Sequence, residues 1–272
     1  MTQNISRRNS LKAILFAATA FSIGLAPLAV QAQDAVKVGI MGGEDESVWK
    51  VVVEEAAKKG LKVETVIFND YNQPNEALDR KEIDANSFQH TPFLDAQIQQ
   101  HGYKISVAGY TAVWPIGIYS HKLKSLDEVK EGAVIGVPND PSNEGRALRV
   151  LEAHGIIKLK PDAGVLATPI DIIENPKNVD IKELDAGVVG RAIDDLDIAI
   201  VNNDWAAKAG LEPKDAIGWE SRENNPYNNF IAVRTDDLEK DWVKTLVSSF
   251  QNDAVKAELD RAYKGTGIPA WE

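Results

Sequence analysis

Asn143 and Arg146 stand three residues apart in the run Pro138-Asn139-Asp140-Pro141-Ser142-Asn143-Glu144-Gly145-Arg146. An arginine presents a planar fork of donors that matches a carboxylate, and an asparagine amide can donate and accept beside it. The strand-like run Val134-Ile135-Gly136-Val137 precedes this segment. A helical pattern follows, with Ala147, Leu148 and Leu151 on one face and Gly155 just past its end. The segment therefore reads as a strand-to-helix junction. Free backbone N–H groups and the positive end of a helix dipole favour an anion there. This chemistry suits holding a carboxylate better than reacting with one.

The other candidate residues are aromatic or amide-bearing and fall at strand ends. Tyr71 follows Phe68-Asn69-Asp70, and Phe88, His90 and Phe93 cluster together. Asn202 ends an apolar run, and Asn229 closes Tyr227-Asn228-Asn229. Ligands bind at the carboxyl ends of strands in α/β lobes, although asparagine also occurs there for turn chemistry alone. Together these residues describe an aromatic pocket with one arginine and several amides, which fits a zwitterion with an apolar side chain.

Patterns for bond-making chemistry are missing. No Gly-x-Ser-x-Gly elbow occurs, and His90, His101, His121 and His154 have no metal-ligand spacing. Neither a Walker loop nor Gly-x-Gly-x-x-Gly is found, and the chain has no cysteine. No catalytic residue, metal or cofactor is expected. The acidic pairs Asp194-Asp195 and Asp236-Asp237 read as solvated turns or helix starts.

The elements that must position these residues alternate between period 2 and period 3.6. Val36, Val38 and Ile40 predict a strand, and Val48, Val51, Val52 and Ala56 predict a helix over 45–59 that stops at Gly60. Leu61 to Ile67 predicts a second strand, which completes a parallel β-α-β unit. A short helix at 77–81 and a strand at 83–88 follow, and then a helix with Thr91 as N-cap and Pro92 as its first residue. Strand-like segments at 105–113 and 116–119 flank Trp114-Pro115. The pattern then restarts, with strands at 134–137, 181–184 and 198–201 and a helix capped by Asn203 or Asp204. A strand at 230–233 and helices over 238–263 finish the chain.

Two runs of this kind predict an α/β protein of two lobes with a hinged cleft between them. Residues 33–113 plus 230–272 would form lobe 1 and residues 114–229 lobe 2.

Residues 1–32 read as a signal peptide. Arg7, Arg8 and Lys12 precede the apolar stretch Ala13 to Val30, and Val30-Gln31-Ala32 resembles a cleavage site. Ser6 to Lys12 also resembles a twin-arginine signal, but Ser10 replaces the usual apolar residue, so both the Sec and twin-arginine routes stay open. An uncleaved anchor is the other reading, opposed by Pro27. Removing this segment leaves 240 residues and shifts the charge from −11 to about −14. Such an acidic chain is a poor nucleic-acid binder, and 44% hydrophobic residues mark it as globular.

Five segments are similar to the methionine-binding substrate-binding proteins of ABC importers, the NlpA-type lipoproteins. They are Phe68 to Tyr71, Pro74 to Leu78, Ile83 to His90, Pro138 to Asn143 and Glu174 to Asn178. The resemblance implies the periplasmic-binding-protein fold. It also implies that Tyr71, Phe88 and Phe93, with His90 beside them, hold a thioether. Arg146 would grip the α-carboxylate, and Asn143, Asn202 and Asn229 would meet the ligand's polar groups. Family members carry a lipidated cysteine that this chain lacks, and Phe93 stands where tyrosine is common.

The expected protein is a non-enzymatic, monomeric periplasmic carrier. It would deliver L- or D-methionine to a membrane permease and its ATPase. Another apolar amino acid or a methionine-containing dipeptide is the alternative ligand. A hydrolase or racemase of amino-acid derivatives, or a ligand-loaded sensor, are the alternatives of other classes.

Overall fold

A computed structural model describes residues 35–271, so the signal-peptide reading of residues 1–32 lies outside the described residues. The chain begins with β1 (Val36–Met41), α1 (Glu44–Lys58), β2 (Val63–Phe68), α2 (Gln73–Asp79), β3 (Ala85–His90), α3 (Thr91–His101), β4 (Ile105–Tyr110) and β5 (Ala112–Val113). It continues through β6 (Gly117–Tyr119), β7 (Val134–Pro138), α4 (Pro141–Ala153), β8 (Lys158–Leu159), β9 (Ile172–Glu174), β10 (Asp180–Leu184), α5 (Ala186–Val189), β11 (Ile198–Val201), α6 (Asn203–Lys208) and β12 (Ala216–Trp219). It ends with β13 (Asn229–Arg234), α7 (Asp241–Phe250), α8 (Asp253–Ala262) and β14 (Ile268–Pro269).

Two five-stranded sheets organise these elements, in the orders β2-β1-β3-β13-β4 and β10-β7-β11-β6-β12. In the first, β1 runs parallel to β2 and β3, with Val36 opposite Val63 and Val38 opposite Ala85. The late strand β13 enters antiparallel between β3 and β4 and places Asn229 opposite His90. In the second sheet β7 is parallel to β10 and β11, while β6 is antiparallel to β11 and β12. The fold is thus α/β and two-lobed, with one lobe on each sheet. The chain crosses between the sheets at 114–116 and again at 220–228.

Each sheet has its own core. Val38 and Ile40 pack with Val48, Trp49 and Val52 of α1, and with Leu246, Phe250, Val255 and Leu259 of the last two helices. Ile135, Val137, Ile198 and Ile200 pack with Leu148 and Leu151 of α4. The apolar spacing of α1 and α4 therefore buries the faces that the sequence predicts. A further cluster joins Met41 to Tyr119, Val201 and Trp205, with Tyr71 and Phe88 against it, so apolar contact bridges the two sheets. Among the described residues no helix is long and apolar enough to cross a membrane.

Three local expectations are corrected. His90, not Thr91, is the N-cap of α3, and its ring Nδ1 accepts from the Phe93 N–H at 3.3 Å. Thr91 is already helical, because β3 runs two residues further than its apolar pattern suggests. Asn202, not Asn203 or Asp204, is the N-cap of α6. Asp237 is buried rather than solvated, since Arg234 and Lys240 both pair with it.

Candidate ligand-binding cleft

Strand ends meet where the two lobes face each other. β3 ends at His90, β7 leads into Asp140 and β11 leads into Asn202, while β13 begins at Asn229. They border a cavity whose free space, counted with its open mouth, is about 570 Å³. All eight residues singled out in the sequence line it: Tyr71, Phe88, His90, Phe93, Asn143, Arg146, Asn202 and Asn229. Residues 71–93 come from the first-sheet side and residues 143–202 from the second, so the cavity depends on both lobes.

One wall is aromatic. The Tyr71 ring lies 6.0 Å from Phe88 and 6.1 Å from Phe93, and Phe88 and Phe93 meet edge to face at 5.6 Å. Trp205 closes the group from the other lobe, 5.5 Å from Tyr71. Edge-to-face contacts hold such rings in fixed orientations, and their faces suit an alkyl or thioether chain.

The polar part of the lining carries a chain of oriented hydrogen bonds. The Asp140 carboxylate accepts from the Asn143 backbone N–H at 3.0 Å and from Asn143 Nδ2 at 2.9 Å. The start of α4 is therefore already capped by a carboxylate, which corrects the expectation of a helix end open to an anion. Because Nδ2 of Asn143 faces Asp140, its Oδ1 points the other way. It accepts from Asn202 Nδ2 at 2.9 Å and lies 3.3 Å from His90 Nε2. The His90 Nδ1 is an acceptor for Phe93, so the proton of the neutral ring sits on Nε2 and donates to Asn143. Burial and the Arg146 charge hold the His90 pKa down to about 3, so this ring is neutral throughout the physiological range. The last member, Asn202 Oδ1, is buried and has no protein donor.

Arg146 is only 3% exposed and is anchored to both crossing segments. Its Nε donates to Glu220 Oε1 at 2.8 Å, and its Nη2 donates to Glu220 Oε2 and to the Trp114 carbonyl, the latter at 2.8 Å. Glu220 also accepts from the Ile116 N–H, and its own N–H donates to the Ile116 carbonyl. The guanidinium lies over Tyr227, 4.3 Å from the ring centre. Its Nη1 has no protein acceptor among the described residues, which leaves that edge of the fork for a ligand.

Nothing in the sequence pattern marks Glu220, because it sits among other charges in Trp219-Glu220-Ser221-Arg222-Glu223. Asp45 and Asp204 are two further cavity residues without a sequence signal, since an acid in the first turn of a helix ordinarily complements the dipole. Burial pushes the Asp45 carboxyl up to about 7, against the hydrogen bond from Tyr263 and with the help of nearby Asp204. Burial also raises Asp204, against the Tyr71 hydroxyl that donates to it at 2.6 Å. Among the described residues no group of three or more His, Cys, Asp or Glu is placed to hold a metal ion. The cleft combines an apolar socket, a partly committed arginine, oriented amides and two carboxylates, which is the equipment for holding a small zwitterion.

Known proteins agree with this architecture. A D-methionine-binding lipoprotein MetQ from Salmonella typhimurium is 44% identical over 265 residues, spanning 94% of this chain and 97% of its own. The structure of a nutrient binding protein from Burkholderia cenocepacia bound to methionine superposes with a TM-score of 0.85 at 49% identity. It covers 87% of this chain and 100% of that one. The crystal structure of the methionine binding protein MetQ also gives 0.85, at 44% identity, covering 88% of this chain and 98% of that one. The family profile described as NlpA lipoprotein matches residues 36–271, and the chain belongs to that family.

Proposed function

We propose that this protein is the substrate-binding component of an ABC importer and captures methionine between its two lobes. The observation that carries this reading is one cavity lined both by an aromatic socket and by Arg146 with the oriented asparagines. The thioether lies among Tyr71, Phe88 and Phe93, where sulfur–aromatic contact and apolar burial both favour it. The carboxylate meets Arg146 Nη1, with Asn143 and Asn229 near it. The names of the relatives and the methionine in the Burkholderia structure support the ligand class.

In this reading the protein binds and releases its ligand without changing it. It acts in the periplasm as a monomer and passes the ligand to a permease driven by an ATPase. Residues 33–113 plus 230–272 and residues 114–229 move as two bodies, and the crossing segments that hold Arg146 are the hinge. Closure excludes water from the carboxylate–arginine contact and so strengthens it. Native mass spectrometry of the purified protein, before and after unfolding, tests this. A released mass of methionine is expected, and chiral chromatography then gives its hand. A protein that retains no amino acid and shows no heat of binding with either methionine enantiomer would overturn the reading.

A further inference from the structure

Asp45 and Asp204 reach the cavity from opposite lobes, on α1 and α6. Asp45 Oδ1 accepts from Tyr263 at 3.1 Å, and Asp204 Oδ1 accepts from Tyr71 at 2.6 Å. Among the described residues each carboxylate thus has one phenol as a side-chain donor and no cation in contact. Arg146 is committed to Glu220. Lys208 acts on both acids only at a distance, because it is exposed and lies over the Trp205 ring, 4.2 Å from its centre. Asp204 and Glu44 add negative potential at Asp45. Two carboxyls brought together in a dry cleft stay ionised only beside a compensating positive charge and otherwise take up a proton.

An independent observation points to the same ligand group. Asn202 is 8% exposed, and its Oδ1 is buried without a donor. The relay from Asp140 through Asn143 turns this oxygen, rather than the NH₂, away from the protein's own partners. A buried acceptor left unsatisfied is costly, so a donor completes the site.

We propose that Asp45, Asp204 and Asn202 Oδ1 form a seat for a primary ammonium, with one carboxylate supplied by each lobe. This rests on the reading of the protein as an amino-acid carrier and adds the group that selects for the amine. Three N–H donors meet three acceptors, and the positive charge offsets the carboxylates that closure brings together. A ligand with the same thioether and carboxylate but no free ammonium leaves them uncompensated. Ammonium binding also favours the ionised form of Asp45, so uptake of the ligand releases a proton where Asp45 is still protonated in the free protein.

Isothermal titration of the full chain tests this, with methionine, 4-(methylthio)butanoate and N-acetylmethionine as probes. The wild type is expected to bind methionine at least 100-fold more tightly than either analogue. Asp204→Asn and Asp45→Asn are expected to lose at least tenfold in methionine affinity while keeping a folded circular-dichroism spectrum. Titration near pH 6.5 in two buffers of different ionisation enthalpy should show proton release in the wild type and none in Asp45→Asn. Equal binding of methionine and both analogues by the wild type, or unchanged affinity in both variants, overturns the seat and leaves the carrier reading standing. Failure of the wild type to bind either methionine enantiomer overturns the carrier reading and the seat with it.

Discussion

Asp140 and Asn143 are joined by three hydrogen bonds across the first turn of α4, one to the Asn143 backbone N–H and two to its Nδ2. The first is an ordinary helix cap, and the other two fix which way the amide points. That choice passes through Asn143 Oδ1 to His90 and Asn202, which line the cavity as Asn143 itself does. A residue absent from the cavity wall thus sets the polarity of three that form it.

Asp140→Ala should therefore do two things. Loss of the cap should lower stability by about 0.5–2 kcal/mol, measurable by urea denaturation. Methionine affinity should also fall in calorimetry, because Asn143 becomes free to turn its NH₂ toward Asn202. Lower stability with unchanged affinity would mean that His90 and Asn202 hold the amide without help.

Arg146 and Glu220 offer a second test, because their roles separate. Arg146→Ala should weaken methionine binding by roughly 2–5 kcal/mol, the scale for truncating a buried charge partner. Glu220→Ala leaves a buried guanidinium unpaired and removes the acceptor for Ile116, so it should destabilise the fold by about 3–5 kcal/mol. Arg146→Lys should not restore affinity, because an ammonium cannot span Glu220, the Trp114 carbonyl and a ligand together. Calorimetry and chemical denaturation on the same variants distinguish the two effects.

The sequence made the layers and the pocket walls legible for a physical reason. Period-2 and period-3.6 apolar spacing reports burial directly, so β1, α1, β7 and α4 appear close to their observed limits. Phe88, Asn202 and Asn229 could be found because strand ends are where α/β lobes place ligands. Pairings between distant segments have no such local signal. Glu220 is 74 positions from Arg146, and Tyr263 is 218 from Asp45, so no spacing rule could join them. The capped start of α4 escapes the sequence pattern for a related reason. An aspartate before Pro141 can equally end a turn or cap a helix, and only the fold shows its carboxylate turned inward onto Asn143.

His90 supplies a pH prediction. Its folded-state value of about 3 lies below the ordinary 6.5. Between these values the unfolded chain takes up a proton that the folded ring refuses, so stability must fall as pH drops through this window. His90→Asn keeps a side-chain acceptor for the Phe93 N–H and removes the titrating ring. Its stability should fall less steeply between about pH 6.5 and 3 in thermal denaturation. A slope identical to the wild type would show that carboxylates alone govern acid unfolding. Above pH 5 His90 stays neutral, so a pH dependence of binding near neutrality comes from the carboxyls that burial raises, Asp45 to about 7 and Glu144 to about 8, and the Asp45→Asn variant separates the two.

Gly145 ties the arginine's helix to the loop that follows β8. A Cβ at this position would lie 2.4 Å from the Val165 carbonyl oxygen and 2.8 Å from the Ala167 nitrogen, both backbone atoms that cannot swing aside. Alanine is the better helix former by about 0.5–1 kcal/mol, but that gain is smaller than the cost of forcing two backbones apart. Gly145→Ala should therefore lower stability by about 1–3 kcal/mol. Because Asn143 and Arg146 flank the displaced turn, methionine affinity should fall with it. Val165→Ala is the control, since it trims a side chain that is 43% exposed and leaves the carbonyl in place. It should leave both stability and affinity near the wild-type values. A neutral Gly145→Ala in denaturation and calorimetry would show instead that the loop over residues 164–167 can move away from α4 without disturbing the cleft.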